Sequence, residues 1–371
     1  MKILLIVPLP PPITGHSLLS QVLCSALRGV HDTAVVNLSL GSLNDGRVTG
    51  RRIREVGKVL LGVLRKSRLA DVIYFTISES RAGNLKDLVI YLLCAGRLRR
   101  LFVHLHGGTI GRELFDRHPV WRRINASFIK RLGGVIISGP AHLEIFSGMI
   151  DRDRIHMVPN SAEDDMFVPE REILDKFSDT RPLRVLYVSA MTPDKGYLDL
   201  LEAWLALDPG ERRRIRLDFA GRFDADLDRR AFEERIAGVD GVRYHGLISP
   251  AEKRRLFAQA HIFCLPTRMF EGQPISILEA YASGCVVLTT GQRGIRDVFA
   301  DGVNGFEAVP GSAASLAAAL AATVADIDRL RDMAMANRHT AGHRYRTATF
   351  TLTLRRILES TTLRSTEVAS T

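Results

Sequence analysis

Residues 265–290 read LPTRMFEGQPISILEAYASGCVVLTT, and this stretch decides the fold of the chain. The apolar run 261–265 predicts a buried strand that ends at Pro266, and a loop follows through Gly272. Pro274 suits the first position of a helix, where its missing N–H costs nothing. A second apolar run begins at Val286. The pattern is strand, loop, helix and strand, which is typical of a doubly wound α/β domain.

Two carboxylates occupy special positions in this stretch. Glu271 precedes the predicted helix, and Glu279 lies about one turn inside it. The first N–H groups of a helix bind anions, and carboxylates accept hydrogen bonds from sugar hydroxyls. The stretch therefore suits a polyhydroxylated phosphate ester. Taken alone, two glutamates near a helix start are also typical of an ordinary surface, because the helix dipole favours acids there.

The composition is that of a soluble globular protein with room for two domains. The chain has 371 residues, of which 46% are hydrophobic and 25% charged. Its four cysteines lie far apart, without the spacing of a metal site or a disulfide framework. No apolar run approaches the ~20 residues that span a bilayer, and the run 2–7 is too short for a signal peptide. We expect a cytoplasmic location.

The positive charge is concentrated in the first part of the chain. Through Asn160 there are 23 Lys and Arg against 11 Asp and Glu, a net +12, whereas the remainder has 28 against 30, a net −2. A basic half indicates an anionic partner, either a membrane surface or nucleic acid. The basic segments lack the interleaved aromatic residues that stack on bases, so we expect no nucleic acid.

The segment 47–68 is the most basic part of this half. Its apolar positions, such as Val59 and Val63, form one stripe, and Glu55 is its only acid. A basic amphipathic helix of this kind can lie on an anionic leaflet. The alternative is a helix that packs its stripe on the core and leaves a solvated basic back. The basic residues are Arg47, Arg51, Arg52, Arg54, Lys58, Arg65, Lys66 and Arg68.

Three further strand ends carry candidate polar groups. Strand 2–7 leads into Gly15-His16, and strand 183–189 leads into a loop with Lys195. Strand 101–105 delivers His104 and His106, which alternation places on one face. Ligands of doubly wound domains bind at the carboxyl ends of strands. A plain connection at Gly15-His16 and a surface lysine at Lys195 are the alternatives.

Together these motifs resemble the family 4 retaining glycosyltransferases. The resemblance is carried by Glu-Gly-Gln-Pro at 271–274 with Glu279, Lys195-Gly196, Pro-Asn-Ser at 159–161, and Asp-Gly-Val-Asn-Gly at 301–305. It implies the GT-B fold, in which two doubly wound Rossmann-like domains face an interdomain cleft. We expect an acceptor domain at 1–170, completed by a returning C-terminal helix at 343–361, and a donor domain at 182–342. A polar linker lies between them, and 362–371 is expected to be a disordered tail.

The resemblance also implies an activity. It is the transfer of a sugar, with retention, from a UDP- or GDP-linked donor to an acceptor hydroxyl, without a separate cofactor. No Asp-x-Asp motif lies at a strand end, so we expect no metal. In such enzymes the leaving phosphate is thought to take the acceptor's proton. The residues assigned to catalysis are Glu271, His106 (with His104 as second choice) and Lys195, and those assigned to donor binding are Gly15, His16, Arg222, Arg268, Gly272, Gln273, Pro274, Ile275 and Glu279.

One departure from the family pattern affects the phosphate site. Ser189-Ala190 stands where the family has Gly-Arg, so Arg222 or Arg268 is expected to supply the second cation. The basic half favours an enzyme on the inner face of the plasma membrane, with a glycan or lipid-linked acceptor. A sugar-nucleotide epimerase and a non-catalytic nucleotide-sugar-binding protein remain as alternatives.

Overall fold

The computed structural model describes residues 1–39 and 50–368, with side chains at all of these positions except 52 and 361–368. The chain divides into two compact units. Unit 1 comprises Met1–Asn160 and Thr347–Thr371, and unit 2 comprises Ser161–Arg346. Residue 47, the first basic position of the predicted helix, lies outside the described residues.

Unit 1 contains a six-stranded parallel sheet in the order β2-β1-β3-β4-β5-β6. Its four inner strands are mainly apolar and buried, as expected for parallel strands covered on both faces by helices, whereas the two edge strands are more polar. The strands are β1 (Lys2–Val7), β2 (Asp32–Asn37), β3 (Val72–Thr76), β4 (Leu101–Leu105), β5 (Gly134–Ile137) and β6 (Ile155–Met157). The helices are α1 (Gly15–Arg28), α2 (Gly50–Ser67), α3 (Arg81–Leu93) and α4 (Pro119–Ile129).

Unit 2 repeats this architecture, with a parallel sheet in the order β12-β11-β10-β7-β8-β9. Its strands are β7 (Leu183–Val188), β8 (Ile215–Ala220), β9 (Val242–Tyr244), β10 (Ile262–Leu265), β11 (Val286–Thr290) and β12 (Gly305–Ala308). Its helices are α5 (Glu170–Ser178), α6 (Tyr197–Ala206), α7 (Pro209–Arg214), α8 (Asp226–Ile236), α9 (Pro250–Gln259), α10 (Ile275–Ala282), α11 (Ala313–Thr323) and α12 (Ile327–Arg344). The prediction of two doubly wound domains is thereby confirmed.

The predicted polar linker between 170 and 182 is wrong, because α5 occupies most of it. Ile173 and Phe177, four residues apart, are buried on one side of the helix. The Lys176 ammonium donates to the carbonyls of Ala260, Ser283 and Gly284 at 2.7–3.0 Å. A polar sequence with two core positions and a lysine that satisfies three carbonyls is thus part of unit 2.

The last helix, α13 (Thr347–Val368), belongs to unit 1, as the predicted returning helix requires. Phe350, Leu354 and Leu358 are buried along one side of it. The His31 ring lies 2.8 Å from the Glu359 carboxylate. Most of the predicted disordered tail is helical, because α13 extends through Val368; residues 369–371 lie outside the described residues.

Helix α2 packs its apolar stripe against the core of unit 1. Val59 and Val63 are buried in the cluster that also contains Val36. The basic residues Arg51 and Lys58 point outward, and Arg51 pairs with Glu55 at 3.0 Å. Helix α2 therefore packs its apolar side on the core and exposes its basic side to solvent, which is the second of the two interpretations of its sequence. Among the described residues, no helix is both long enough and apolar enough to cross a membrane.

Candidate active site

The order of the second sheet creates a switch point beside β7. The next strand along the chain, β8, lies on one side of β7, and β10 lies on the other. Loops that leave the carboxyl ends of β7 and β10 therefore diverge and leave a crevice, which is where α/β sheets bind ligands. The loop after β7 carries Lys195, and the loop after β10 carries Glu271. The structure thus brings two predicted catalytic residues to one edge.

These two loops contact each other directly. The Arg268 N–H donates to the Asp194 carbonyl at 2.8 Å. The Lys195 ammonium lies 2.5 Å from the Glu271 carboxylate, and the side chains are 22% and 12% exposed. The sequence predicted both residues in one site but not their ion pair. Because the pair is only partly exposed, water screens its attraction less than it would on an open surface.

Helix α10 begins next to this ion pair. Its N-cap, Pro274, contributes no side-chain hydrogen bond, and the Ile277 N–H donates to the Pro274 carbonyl at 3.1 Å. The N–H groups of Ile275 and Ser276 are then the first ones directed out of the helix. Gln273 is buried just before them. The loop and helix start present backbone donors beside a cation, which suits a phosphate group.

Glu279 lies deeper, on α10, and is only 5% exposed. Its carboxylate is 2.6 Å from the Lys253 ammonium, which also lies 3.1 Å from Glu163. Burial lowers the pKa of Lys253, but the carboxylates of Glu279 and Glu163 outweigh burial and hold that pKa above its ordinary value. Glu279 is therefore held in an ion pair whose lysine the sequence reasoning missed.

The two arginines predicted for the phosphate site differ in their surroundings. Arg268 forms a two-point ion pair with Asp199, with one contact of 2.9 Å from its Nε. Arg222 is exposed in the loop after β8, and its carbonyl accepts from the Met191 N–H at 3.0 Å. The latter contact ties the Arg222 loop to the loop after β7. Arg268 is thus already engaged by a carboxylate, whereas the Arg222 side chain is exposed to solvent.

In unit 1, histidines gather at the carboxyl end of β4. His104 and His106 stack with their rings 3.9 Å apart, which confirms that they share a face. The His16 ring, from the start of α1, lies 4.9 Å from that of His106. The Tyr74 hydroxyl is 2.5 Å from Nδ1 of His104. His106 and the Gly15-His16 segment thus meet at one place, as the strand-end argument predicted.

Two neighbours of this cluster were not anticipated. His142 is fully buried close to it, and Glu79 accepts two hydrogen bonds of 2.7 Å from the backbone and hydroxyl of Thr109. Glu79 packs so closely on Gly107 that a Cβ there would lie 1.7 Å from its Oε1. The Gly107-Gly108 pair after His106 was the only sequence signal for this contact. The described residues contain no group of three or more His, Cys, Asp and Glu side chains that could hold a metal.

Comparison with known proteins agrees with this geometry. Residues 182–326 match the family model described as Glycosyl transferases group 1. The matched segment includes the loops of Lys195 and Glu271 and the start of α10. Unit 2 carries a group 1 glycosyltransferase domain.

A curated relative of this group 1 domain is the amylovoran biosynthesis glycosyltransferase AmsK of Erwinia amylovora. It is 30% identical over 146 residues, which are 38% of this chain and 35% of AmsK. The match therefore spans about a third of that relative's length.

Solved structures resemble the chain over nearly its whole length. Anabaena HepE in complex with UDP-glucose has a TM-score of 0.73 at 17% identity, covering 97% of this chain and all of HepE. WaaG, a glycosyltransferase involved in lipopolysaccharide biosynthesis, has a TM-score of 0.66 at 15% identity, covering 96% of this chain and 98% of WaaG. At such identities the likeness shows the fold. The predicted two-domain GT-B fold is confirmed.

The buried histidines of unit 1 predict an acid-sensitive fold. Burial lowers the pKa of His104 to about 3 and lowers those of His106 and His142. Their ordinary pKa is near 6.5. Above that pH both folded and unfolded chains hold them neutral; below it only the unfolded chain takes up protons, so stability falls as pH falls toward the folded-state values. His16, unlike these three, is exposed.

We expect His104→Gln to flatten this dependence. Removing one such histidine should reduce the slope of unfolding free energy below pH 6 by about 1.4 kcal/mol per pH unit. Urea unfolding between pH 4 and 7 measures it. His343→Gln, at an exposed position on α12, is the matched control. Equal slopes for His104→Gln and the wild type would contradict the assignment.

Proposed function

We propose that this protein is a retaining glycosyltransferase that moves a sugar from a nucleoside-diphosphate sugar to an acceptor hydroxyl. The observation that carries the proposal is the Lys195–Glu271 ion pair at the carboxyl ends of β7 and β10, beside the start of α10. A nucleotide sugar places its phosphates next to its sugar hydroxyls. A cation, a carboxylate and helix N–H groups within one crevice match that order of groups.

In this proposal the loops divide the donor between them. Lys195, Arg222 and the N–H groups of Ile275 and Ser276 meet the diphosphate, and Glu271 accepts from hydroxyls of the transferred sugar. The segment Gly272-Gln273-Pro274 lines the sugar, and Glu279 receives the ribose hydroxyls. We assign to His106 a contact with the donor sugar and to Gly15 and His16 contacts with the diphosphate. Arg268 is secondary, because Asp199 already engages it.

The reaction then needs no protein nucleophile. The bond from the anomeric carbon to the diphosphate oxygen breaks, and the acceptor oxygen bonds to the same face of that carbon. The acceptor proton passes to the departing phosphate oxygen. Negative charge grows on the diphosphate during the transfer, so fixed donors near it lower the barrier. We expect Lys195 to contribute most of this stabilisation of the departing diphosphate.

A donor panel tests the activity. The full chain is incubated with UDP- and GDP-linked sugars and a mixture of glycan and lipid-linked acceptors, with and without a chelator. We expect free nucleoside diphosphate together with transferred sugar, with retention and with the chelator present. Interconverted nucleotide sugars would instead identify an epimerase. Donor binding without either product would identify a non-catalytic binding protein, and loss of transfer on chelation would contradict metal independence.

We further propose that the acceptor is lipid-linked or part of a surface polysaccharide. AmsK is a glycosyltransferase of amylovoran biosynthesis, and WaaG is a glycosyltransferase involved in lipopolysaccharide biosynthesis; both support an acceptor of this kind. The net charge of +12 in residues 1–160 also fits an anionic membrane surface. Because the apolar stripe of α2 is buried, the attraction should be electrostatic. Each basic residue near an anionic leaflet contributes about 1 kcal/mol. Exposed Ile53 and Leu61 add little apolar area.

Co-sedimentation with vesicles measures this attraction. Binding should increase with anionic lipid, fall with salt and drop at least tenfold in Arg51→Ser/Arg54→Ser/Lys58→Ser. A control with three basic residues of unit 2, Arg230→Ser/Arg293→Ser/Arg331→Ser, should keep its binding. Equal binding of the wild type to neutral and anionic vesicles would favour a soluble acceptor.

A further inference from the structure

Three neighbouring parallel strands of unit 2 each carry an arginine as their second residue. These are Arg184 of β7, Arg216 of β8 and Arg243 of β9. Arg184 lies directly opposite Arg216, and Arg243 lies opposite Asp218. Side chains alternate along a strand, so these four share one face of the sheet. They lie toward the amino ends of the strands, at the edge opposite to the one that carries Lys195 and Glu271.

A cavity of about 200 Å³ is lined by these side chains. The last turns of α9 close one side of it with Arg255 and Gln259, and His245 adds a ring. Asp218 is the only acidic residue in the lining. Its carboxylate is engaged by His245 at 2.6 Å and lies 3.5 Å from Nε of Arg216. The four arginines therefore outnumber the two nearby carboxylates, Asp218 in the lining and Glu252 next to Arg255.

The positive charge of this cavity is built into the sheet. Like charges directly opposite each other on neighbouring strands are destabilising, and the register places Arg184 directly opposite Arg216. In the part of the chain that the structure describes, no acceptor contacts the guanidinium of Arg184 or Arg243. Arg255 lies 3.7 Å from the Glu252 carboxylate and donates to the side-chain oxygen of Gln259 at 3.1 Å. Such an arrangement is stabilised by an anion.

We propose that this cavity, the amino-edge arginine pocket, binds a phosphate group. Guanidinium groups bind phosphate with two parallel N–H bonds, and fixed arginines on three strands can approach it from several directions. The volume suits one anionic group rather than a duplex or an extended chain. The phosphate can be free in solution or can belong to a phospholipid headgroup. The site lies apart from the donor crevice, so it does not depend on the proposed function.

Calorimetric titration tests the pocket. Inorganic phosphate is titrated into the full chain carrying Lys195→Ala, so that the donor crevice contributes little. We expect Arg184→Gln/Arg243→Gln to weaken phosphate binding at least tenfold. Arg331→Gln, which removes an arginine paired with Asp328 on α12, is the control and should leave binding unchanged.

A second arm identifies the source of the phosphate. Vesicles of phosphatidic acid and phosphatidylcholine are compared with vesicles of phosphatidylcholine alone. Binding that depends on Arg184 and Arg243 in the vesicle arm assigns a headgroup, and the same dependence in the phosphate arm alone assigns a free anion. Two results overturn the proposal. One is the absence of binding in both arms before Arg184 and Arg243 are replaced, and the other is binding that Arg184→Gln/Arg243→Gln leaves unchanged in both arms.

Thermal unfolding tests the pocket even if the substitutions change the stability of the protein. In chloride buffer Arg184→Gln relieves its repulsion with Arg216, so its Tm should lie above that of the wild type. In proteins that also carry Lys195→Ala, so that the donor crevice contributes little, adding phosphate should raise the Tm of the protein that retains Arg184 more than that of Arg184→Gln, because ligands stabilise the state that binds them. An equal phosphate-induced rise in both proteins would overturn the assignment of the pocket.

Discussion

Lys195→Ala is expected to lower kcat/KM for sugar transfer by about 30- to 1,000-fold, or about 2–4 kcal/mol of transition-state stabilisation. Lys195 comes from the loop after β7 and is the cation beside the start of α10. Charge develops on the departing diphosphate, and a fixed cation in a partly enclosed crevice acts on it strongly. The loss should appear in kcat more than in donor affinity, because the added charge exists mainly in the transition state.

The ion pair with Glu271 sharpens this experiment. Lys195→Ala leaves the Glu271 carboxylate, 12% exposed, without its counterion, so the single variant also suffers an electrostatic penalty. Lys195→Ala/Glu271→Gln removes that penalty. If both residues act on the donor, the double variant should be no more active than Lys195→Ala. Arg331→Ala, at the surface of α12, is the control. Activity of Lys195→Ala within threefold of the wild type would refute the assignment.

Gly294→Ala is expected to abolish most donor binding by displacing the loop that carries Glu271. A Cβ on Gly294 would lie 1.4 Å from the Gly272 carbonyl oxygen and 2.4 Å from that of Glu271. Both obstacles are backbone atoms, so no side chain can rotate away, and the loop itself must move. Overpacking of this kind costs about 1–3 kcal/mol. Nucleotide affinity should fall at least tenfold, because Glu271 and the start of α10 move with the loop.

Titration calorimetry with UDP and GDP, together with thermal unfolding, measures both effects of Gly294→Ala. Gly96→Ala is the matched control, since an added Cβ there meets nothing within 4 Å. Unchanged nucleotide affinity in Gly294→Ala would show that the loop between β10 and α10 does not hold the donor.

The sequence predicted the strands well because parallel strands covered on both faces are continuous apolar runs. The run 101–105 coincides with β4, and the run 2–7 coincides with β1. It also predicted Lys195 and Glu271 at one edge, since both follow such runs. Their direct contact could not be predicted, because it depends on the conformations of two loops that are 76 residues apart.

Other features depended on tertiary packing that local patterns do not record. Helix α5 buries only Ile173 and Phe177, so its polar surface resembles that of a linker. The stripe of α2 has the same spacing whether it faces a core or a lipid surface. Glu79 meets Gly107 only because β3 and β4 are neighbours in the sheet. The amino-edge arginines become a cluster only once the register of β7, β8 and β9 is known.

The return of α13 to unit 1 affects the order in which the protein can fold during synthesis. Unit 2 is one uninterrupted segment, whereas unit 1 lacks α13 until all of unit 2 has left the ribosome. The apolar side chains of Phe350, Leu354 and Leu358 arrive last. Domains generally fold as units. The second unit can therefore finish first, while the first unit, although made earlier, waits with an uncovered apolar surface for its final helix.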